Sequence, residues 1–163
     1  MYLLVDTNLL NKVSDELKKR RLTVATAESC TGGFIAHILT NVSGSSEYFD
    51  RGVISYSNTS KMELLGVPEK ILKEYGAVSE HTAHAMAKAI REHAQVDIGL
   101  STTGIAGPTG GTKDKPVGLV YIGIATKKTV SVKRFLFSGD RLQIKENACD
   151  AALKFLHEIL LNW

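Results

Sequence analysis

LTVATAESCTGGFIAHIL, Leu22 to Leu39, decides how the chain reads. Leu22 to Ala27 has the small and β-branched apolar pattern of a short buried strand, and Phe34 to Leu39 reads as the body of a helix. Between them Thr26 to Gly33, TAESCTGG, compresses a strand end, a Ser29–Cys30 pair and two glycines into one strand-to-helix turn. A side chain on such a turn stands beside free backbone N–H groups at a helix N-terminus, which can bind an oxyanion or phosphate and activate a hydroxyl. The competing reading is a glycine turn in which Ser or Thr serves only as N-cap.

Composition bounds what surrounds this turn. The 163 residues suit one well-packed α/β domain and are short for two. With 44% hydrophobic and 23% charged residues, disordered and fibrous architectures are poor readings. The net charge of +3 is scattered apart from one run at Lys18 to Arg21. That distribution argues against nucleic acid as a partner and suits an anionic small molecule. No apolar run reaches membrane-spanning length, and MYLLVDTN lacks the basic flank and long apolar core of a leader, so the expected location is the cytoplasm, away from a membrane. Cys30 and Cys149 have no paired-ligand spacing, which suggests neither a disulfide framework nor a zinc site. Cys30 adjoins Ser29 and so remains a rival nucleophile.

Moving outward, Leu9, Leu10, Val13 and Leu17 mark an amphipathic first helix over residues 8 to 20. After the second helix, NVSGSS breaks the pattern, with Ser45 and Ser46 where a helix could start. Gly52 to Tyr56 reads as a strand, and Ser57–Thr59 as a turn capping the helix that carries Lys61, which places Tyr56 and Lys61 close together. Val67–Glu69 opens another helix, and Ser79 and Thr82 precede one running to about His93. His81 and His84 on it have metal-compatible spacing but no nearby carboxylate or Cys partner, so a solvated face is the simpler reading.

Val96 to Thr103 reads as a third strand that runs into GIAGPTGG, Gly104 to Gly111, a loop whose backbone can approach a ligand. It has neither a following Gly-Lys-Ser/Thr nor GxGxxG spacing, so it is no Walker A loop or dinucleotide fingerprint. Val117 to Thr126 and Val130 to Phe137 read as two further strands, antiparallel because the short connection that turns at Lys127–Lys128 cannot make a parallel crossover. Asp140 caps the last helix, where Arg141 and Lys145 share a face, and the first-turn Arg opposes the macrodipole. No repeat or linker divides the chain, so one domain is expected over residues 1–163.

In an open α/β sheet, sites collect at the carboxyl ends of strands. This brings together Ser29, the Ser45/Ser46 loop, Tyr56 with Lys61, Thr103 with its glycine loop, and Arg141. There is no Asp–His pair for a serine triad, which leaves Lys61 to activate a hydroxyl. A lysine of ordinary pKa, about 10.4, is protonated and cannot act as a base until burial or a neighbouring cation lowers it.

AESCTGG, the GSS loop, GVISYSN with Lys61, GAVSE, GIAGPTGG, KPVGLVYIGIA and GDR, in this order, resemble the CinA C-terminal domain family over nearly the whole chain. The resemblance implies a three-layer α/β/α domain with a mixed, mostly parallel five-stranded sheet, usually a homodimer or larger homo-oligomer. It implies hydrolysis of the carboxamide of nicotinamide mononucleotide to nicotinate mononucleotide and ammonia, a salvage reaction needing no metal or cofactor. It maps the polar site onto Ser29, Ser46, Tyr56, Lys61, Thr103 and Arg141. Ser29 is the first choice of nucleophile, with Ser46 or an activated water as rivals and Lys61 with Tyr56 as base and acid. Thr31, Gly32, Thr103, Gly104, Gly107 and Arg141 are the expected substrate contacts. Lys145 stands where the family pattern leads one to expect Arg. A non-catalytic nucleotide-binding module and an amidase for another small amide remain the alternatives.

Overall fold

The computed structural model describes residues 5–163, so the first four residues of the N-terminal stretch considered above lie outside it. Strand β1 (Val24–Glu28) is buried at every position, consistent with its central place in the sheet. The five strands lie in the order β2-β1-β3-β4-β5, with β2 Phe49–Ile54, β3 Ile98–Gly104, β4 Leu119–Ala125 and β5 Val130–Leu136. β2 and β3 flank β1 in parallel, whereas β4 runs antiparallel to both β3 and β5. Four of the five strands therefore point the same way, as expected for a mixed, mostly parallel sheet.

Helices α1 (Thr7–Arg20), α2 (Phe34–Leu39) and α6 (Arg141–Leu161) cover one face. There Val13, Leu17, Leu39, Ala148, Ala152 and Leu156 close the larger core against β1, β3 and β4. The other face carries α3 (Asn58–Leu65), α4 (Glu69–Tyr75) and α5 (Glu80–Ala94), with Leu65, Met86 and Ile90 packed on Ala25 and Ala27. Gly123 lets α5 come close: a Cβ there would sit 2.7 Å from the Ala83 carbonyl oxygen. Among the described residues no helix is long and apolar enough to cross a membrane.

Several boundaries shift by a few residues from the sequence expectation, those of β2 and α5 among them. β2 begins at Phe49, three residues ahead of the expected Gly52, because it is an edge strand whose exposed Asp50 and Arg51 hide the strand pattern. Thr82 lies inside α5, where its amide donates to the capping Ser79 hydroxyl at 3.1 Å. The first matters for function, since an earlier β2 leaves Ser55 and Tyr56 outside the strand, beyond its carboxyl end.

Candidate active site

β1 ends at Glu28, and the chain turns at once. The Ser29 amide donates to Thr102 O of the neighbouring strand at 3.0 Å, and the Gly32 amide closes the turn onto Ser29 O at 3.0 Å. Gly32 and Gly33 have φ of +61° and +95°, a region in which a Cβ is strained. The N-terminus of α2 is not open to an external anion. The buried Glu28 carboxylate accepts the amides of Gly33 (3.0 Å), Ile35 (3.1 Å) and Ala36 (2.8 Å). The chain thus supplies its own anion at the place where the sequence suggested a phosphate or oxyanion. The amide of Cys30, next to Ser29, makes no backbone hydrogen bond among the described residues.

Lys61 reaches this turn from the first helix on the opposite face. Ser57 and Ser60 form a capping box that starts α3 just beyond β2, and this sends the Lys61 side chain back under the strand end. The residue is only 1% exposed. Its Nζ lies 3.0 Å from Ser29 Oγ and donates to the carbonyls of Ser55 (2.9 Å) and Tyr56 (3.3 Å). No carboxylate pairs with it among the described residues. Burial pushes its pKa below the ordinary lysine value, opposed only by the weaker influence of Cys30. In its neutral form an amine so placed can accept the proton of the serine hydroxyl.

The dyad opens onto a cleft of about 260 Å³ whose walls include Tyr56, Val78, Thr103, Gly104, Gly107 and Arg141. Arg141, at the N-terminus of α6, donates from Nη1 to Gly107 O (2.6 Å) and from Nη2 to the Tyr56 hydroxyl (2.8 Å). The Tyr56 phenol is thus directed to Arg141, while its main-chain carbonyl holds Lys61. Thr103 lines the cleft, but its hydroxyl donates to Ala77 O at 2.6 Å, which ties β3 to the loop before α5. Thr109 and Gly110 of the glycine loop also line the cleft. Arg141 brings a positive charge to the cleft and no carboxylate lines it, so its electrostatics favour an anionic ligand.

Not every expected residue reaches this cluster. Ser46 sits in a 3-10 turn, Ser45–Glu47, that leads into β2 and therefore lies at the opposite end of the sheet from Ser29. The Ser45 hydroxyl there donates to Thr40 O. Thr31 is fully buried; its hydroxyl meets Glu28 Oε2 (2.6 Å) and Thr102 Oγ1 (2.7 Å) and faces no cleft. Gly32 also lies outside the cleft, beneath the Lys145 ammonium, which stands 5.7 Å from the centre of the Phe34 ring. Burial pushes the Cys30 thiol up to about 12, so at neutral pH it is a protonated, poor nucleophile. His81 stacks on Tyr75 with ring centres 3.6 Å apart, and no cluster of three potential metal ligands occurs among the described residues.

Two participants were missed in the sequence, namely the Glu28 side chain and the Ser55 carbonyl. A glutamate at the end of an apolar strand was a signal for the first, since a buried carboxylate must find donors. A main-chain carbonyl leaves no trace in the sequence. A larger groove of about 490 Å³ runs between β5 and α6, but its ions are already paired, Lys133 with Glu158 and Lys154 with Asp150.

Comparison with known proteins gives the family. The model of the CinA C-terminal domain matches residues 6–160. A protein of Caldicellulosiruptor bescii named for competence-damage induction is 56% identical over 160 residues, which cover 98% of this chain and 39% of the relative. A CinA-like protein of Syntrophus aciditrophicus is 50% identical over 95% of this chain and 37% of its own length. The chain thus spans about two-fifths of the curated relatives it matches. Among solved structures, the competence/damage inducible protein CihA of Agrobacterium tumefaciens superposes with a TM-score of 0.93 at 36% identity, covering 100% of both chains. The competence damage-inducible protein A of Klebsiella pneumoniae gives 0.93 at 33% identity, over 96% of this chain and 97% of that one. The chain belongs to the CinA C-terminal domain family.

Proposed function

We propose that the protein is a Ser–Lys amidohydrolase that converts nicotinamide mononucleotide to nicotinate mononucleotide and ammonia. The observation that carries this reading is the 3.0 Å contact between Lys61 Nζ and Ser29 Oγ, made by a buried amine with no carboxylate partner among the described residues. The choice of substrate rests on the family resemblance and is supported by a cleft that Arg141 lines and no acid does.

In this scheme neutral Lys61 takes the Ser29 proton as Oγ bonds to the carboxamide carbon. The carbonyl π electrons move onto oxygen, where the Cys30 amide would meet the developing charge. Collapse of the tetrahedral adduct breaks the C–N bond, and the Lys61 ammonium returns its proton to the departing nitrogen, which leaves as ammonia. Lys61, neutral again, deprotonates a water that attacks the acyl ester. Breaking the C–O bond returns a proton to Ser29 Oγ and releases the nicotinate. Arg141 would hold the phosphate, with Tyr56 and Gly107 O fixing its fork.

The test is ammonia release from nicotinamide mononucleotide by the purified protein in excess EDTA, with Ser29→Ala and Lys61→Ala alongside. Turnover by the wild type and its loss in both variants is the expected result. A wild type that binds the mononucleotide, as read by a raised Tm, without releasing ammonia would replace this reading with a binding module.

A further inference from the structure

Glu28 is 1% exposed, yet among the described residues it has no cationic partner. A buried carboxylate is tolerated only when its lone pairs are filled. Here Oε2 accepts from the Thr31 hydroxyl (2.6 Å) and the amides of Gly33 and Ile35, while Oε1 accepts from the Ala36 amide and, at 3.4 Å, the Thr26 hydroxyl. Both oxygens are held, and every partner donates. The positive end of α2 adds to the stabilisation.

The same residue touches both halves of the dyad through the main chain. Ser29 follows it directly, and the turn presenting Ser29 is the turn that the carboxylate clamps. On the other side, Glu28 O accepts the Ser55 amide at 2.8 Å, and Ser55 O in turn accepts Lys61 Nζ at 2.9 Å. A third tie runs through Thr31 to Thr102, whose carbonyl accepts the Ser29 amide at 3.0 Å.

We propose that Glu28 is a positioning residue that sets the separation of Ser29 and Lys61, acting through the helix amides, Thr31 and Ser55. This rests on the Ser–Lys reading of the site. A carboxylate is required because donors converge on both of its oxygens. Glutamine, of the same shape, turns an NH2 group toward N–H or O–H donors at one of them, so the turn or the helix must shift. A displacement of about 1 Å at a reacting atom costs on the order of 10²-fold in rate. Substrate contacts in the cleft are left in place, so the loss falls on the chemical step.

Glu28→Gln and Thr31→Val, in the full chain, test this by steady-state kinetics on nicotinamide mononucleotide. Phosphonylation of Ser29 by a fluorophosphonate, with fluoride leaving, counts competent sites and gives their rate of reaction. The expected result is a kcat lower by about 10²-fold in the first variant and about tenfold in the second, with KM within about twofold in both. Phosphonylation should slow in parallel while the number of labelled sites is kept, which a merely structural role would not produce. Unchanged kcat and labelling rate would overturn the proposal, as would a rise in KM alone, which would make Thr31 a substrate contact. If Glu28→Gln does not fold, Thr31→Val decides by the same criteria. A wild type that is labelled at Ser29 but does not turn over the mononucleotide refutes the substrate, and labelling rates then decide the role of Glu28. A wild-type Ser29 that resists the reagent overturns the positioning role outright.

Discussion

Lys61 Nζ and Ser29 Oγ, 32 residues apart in the chain, lie 3.0 Å from each other under the carboxyl end of β1. Burial, the larger influence on Lys61, lowers its pKa. Only the neutral amine can accept the serine proton, so kcat/KM should rise with pH through one ionisation and level off below about 10.4, the ordinary lysine value. A pH–rate profile checks this. A profile that is flat from weakly acidic to alkaline pH would remove Lys61 as the base.

The same shift has a consequence for stability. Between the lowered folded pKa and the unfolded value near 10.4, the unfolded chain holds more protons, so the wild type gains stability as pH rises through that window. Lys61→Met removes the titration. The difference in Tm, wild type minus variant, should therefore increase as pH rises through the window; a constant difference would mean that the amine is not desolvated.

Arg141→Lys should raise KM for nicotinamide mononucleotide by about tenfold, the scale of one charge-assisted hydrogen bond, with a smaller effect on kcat. The guanidinium serves Gly107 O and the Tyr56 hydroxyl at once, and an ammonium lacks that planar fork. Kinetics with the dephosphorylated riboside locate the contact: its KM should move less than that of the mononucleotide. An equal rise for both would separate Arg141 from the phosphate.

Cys30→Ala should keep turnover within about threefold of the wild type, a change of well under a tenfold barrier step. The thiol, pushed up to about 12 by burial, supplies no thiolate at neutral pH. Loss of activity as complete as in Ser29→Ala, measured by ammonia release, would reverse the assignment of the nucleophile.

Much of the architecture was legible because it is written in local patterns. The β1 run, the paired glycines, the Ser57 and Asp140 caps and the short β4–β5 connection each constrain their own neighbourhood, and each led to an element close to the one observed. The start of β2 was expected three residues late because its first residues include the polar, exposed Asp50 and Arg51, which hide the strand pattern. Among the site residues, Ser29, Tyr56, Lys61, Thr103 and Arg141 lie near strand ends or helix starts, and the fold brings them to one cleft. Ser46 and Thr31 share the same local chemistry but are placed elsewhere, one before its strand and one inside the protein.

By itself, then, the sequence determined which segments are strands and helices, where most of the turns fall, and which side chains have reactive chemistry. Tertiary structure alone decided that Glu28 occupies the helix amides, that Thr103 is bonded to Ala77 O, and that main-chain carbonyls of Ser55 and Tyr56 hold the Lys61 amine. Periodicity and capping act over a few residues, within reach of a sequence pattern. The direction of a side chain and the partner of a buried polar atom depend on surfaces that meet only when distant segments pack.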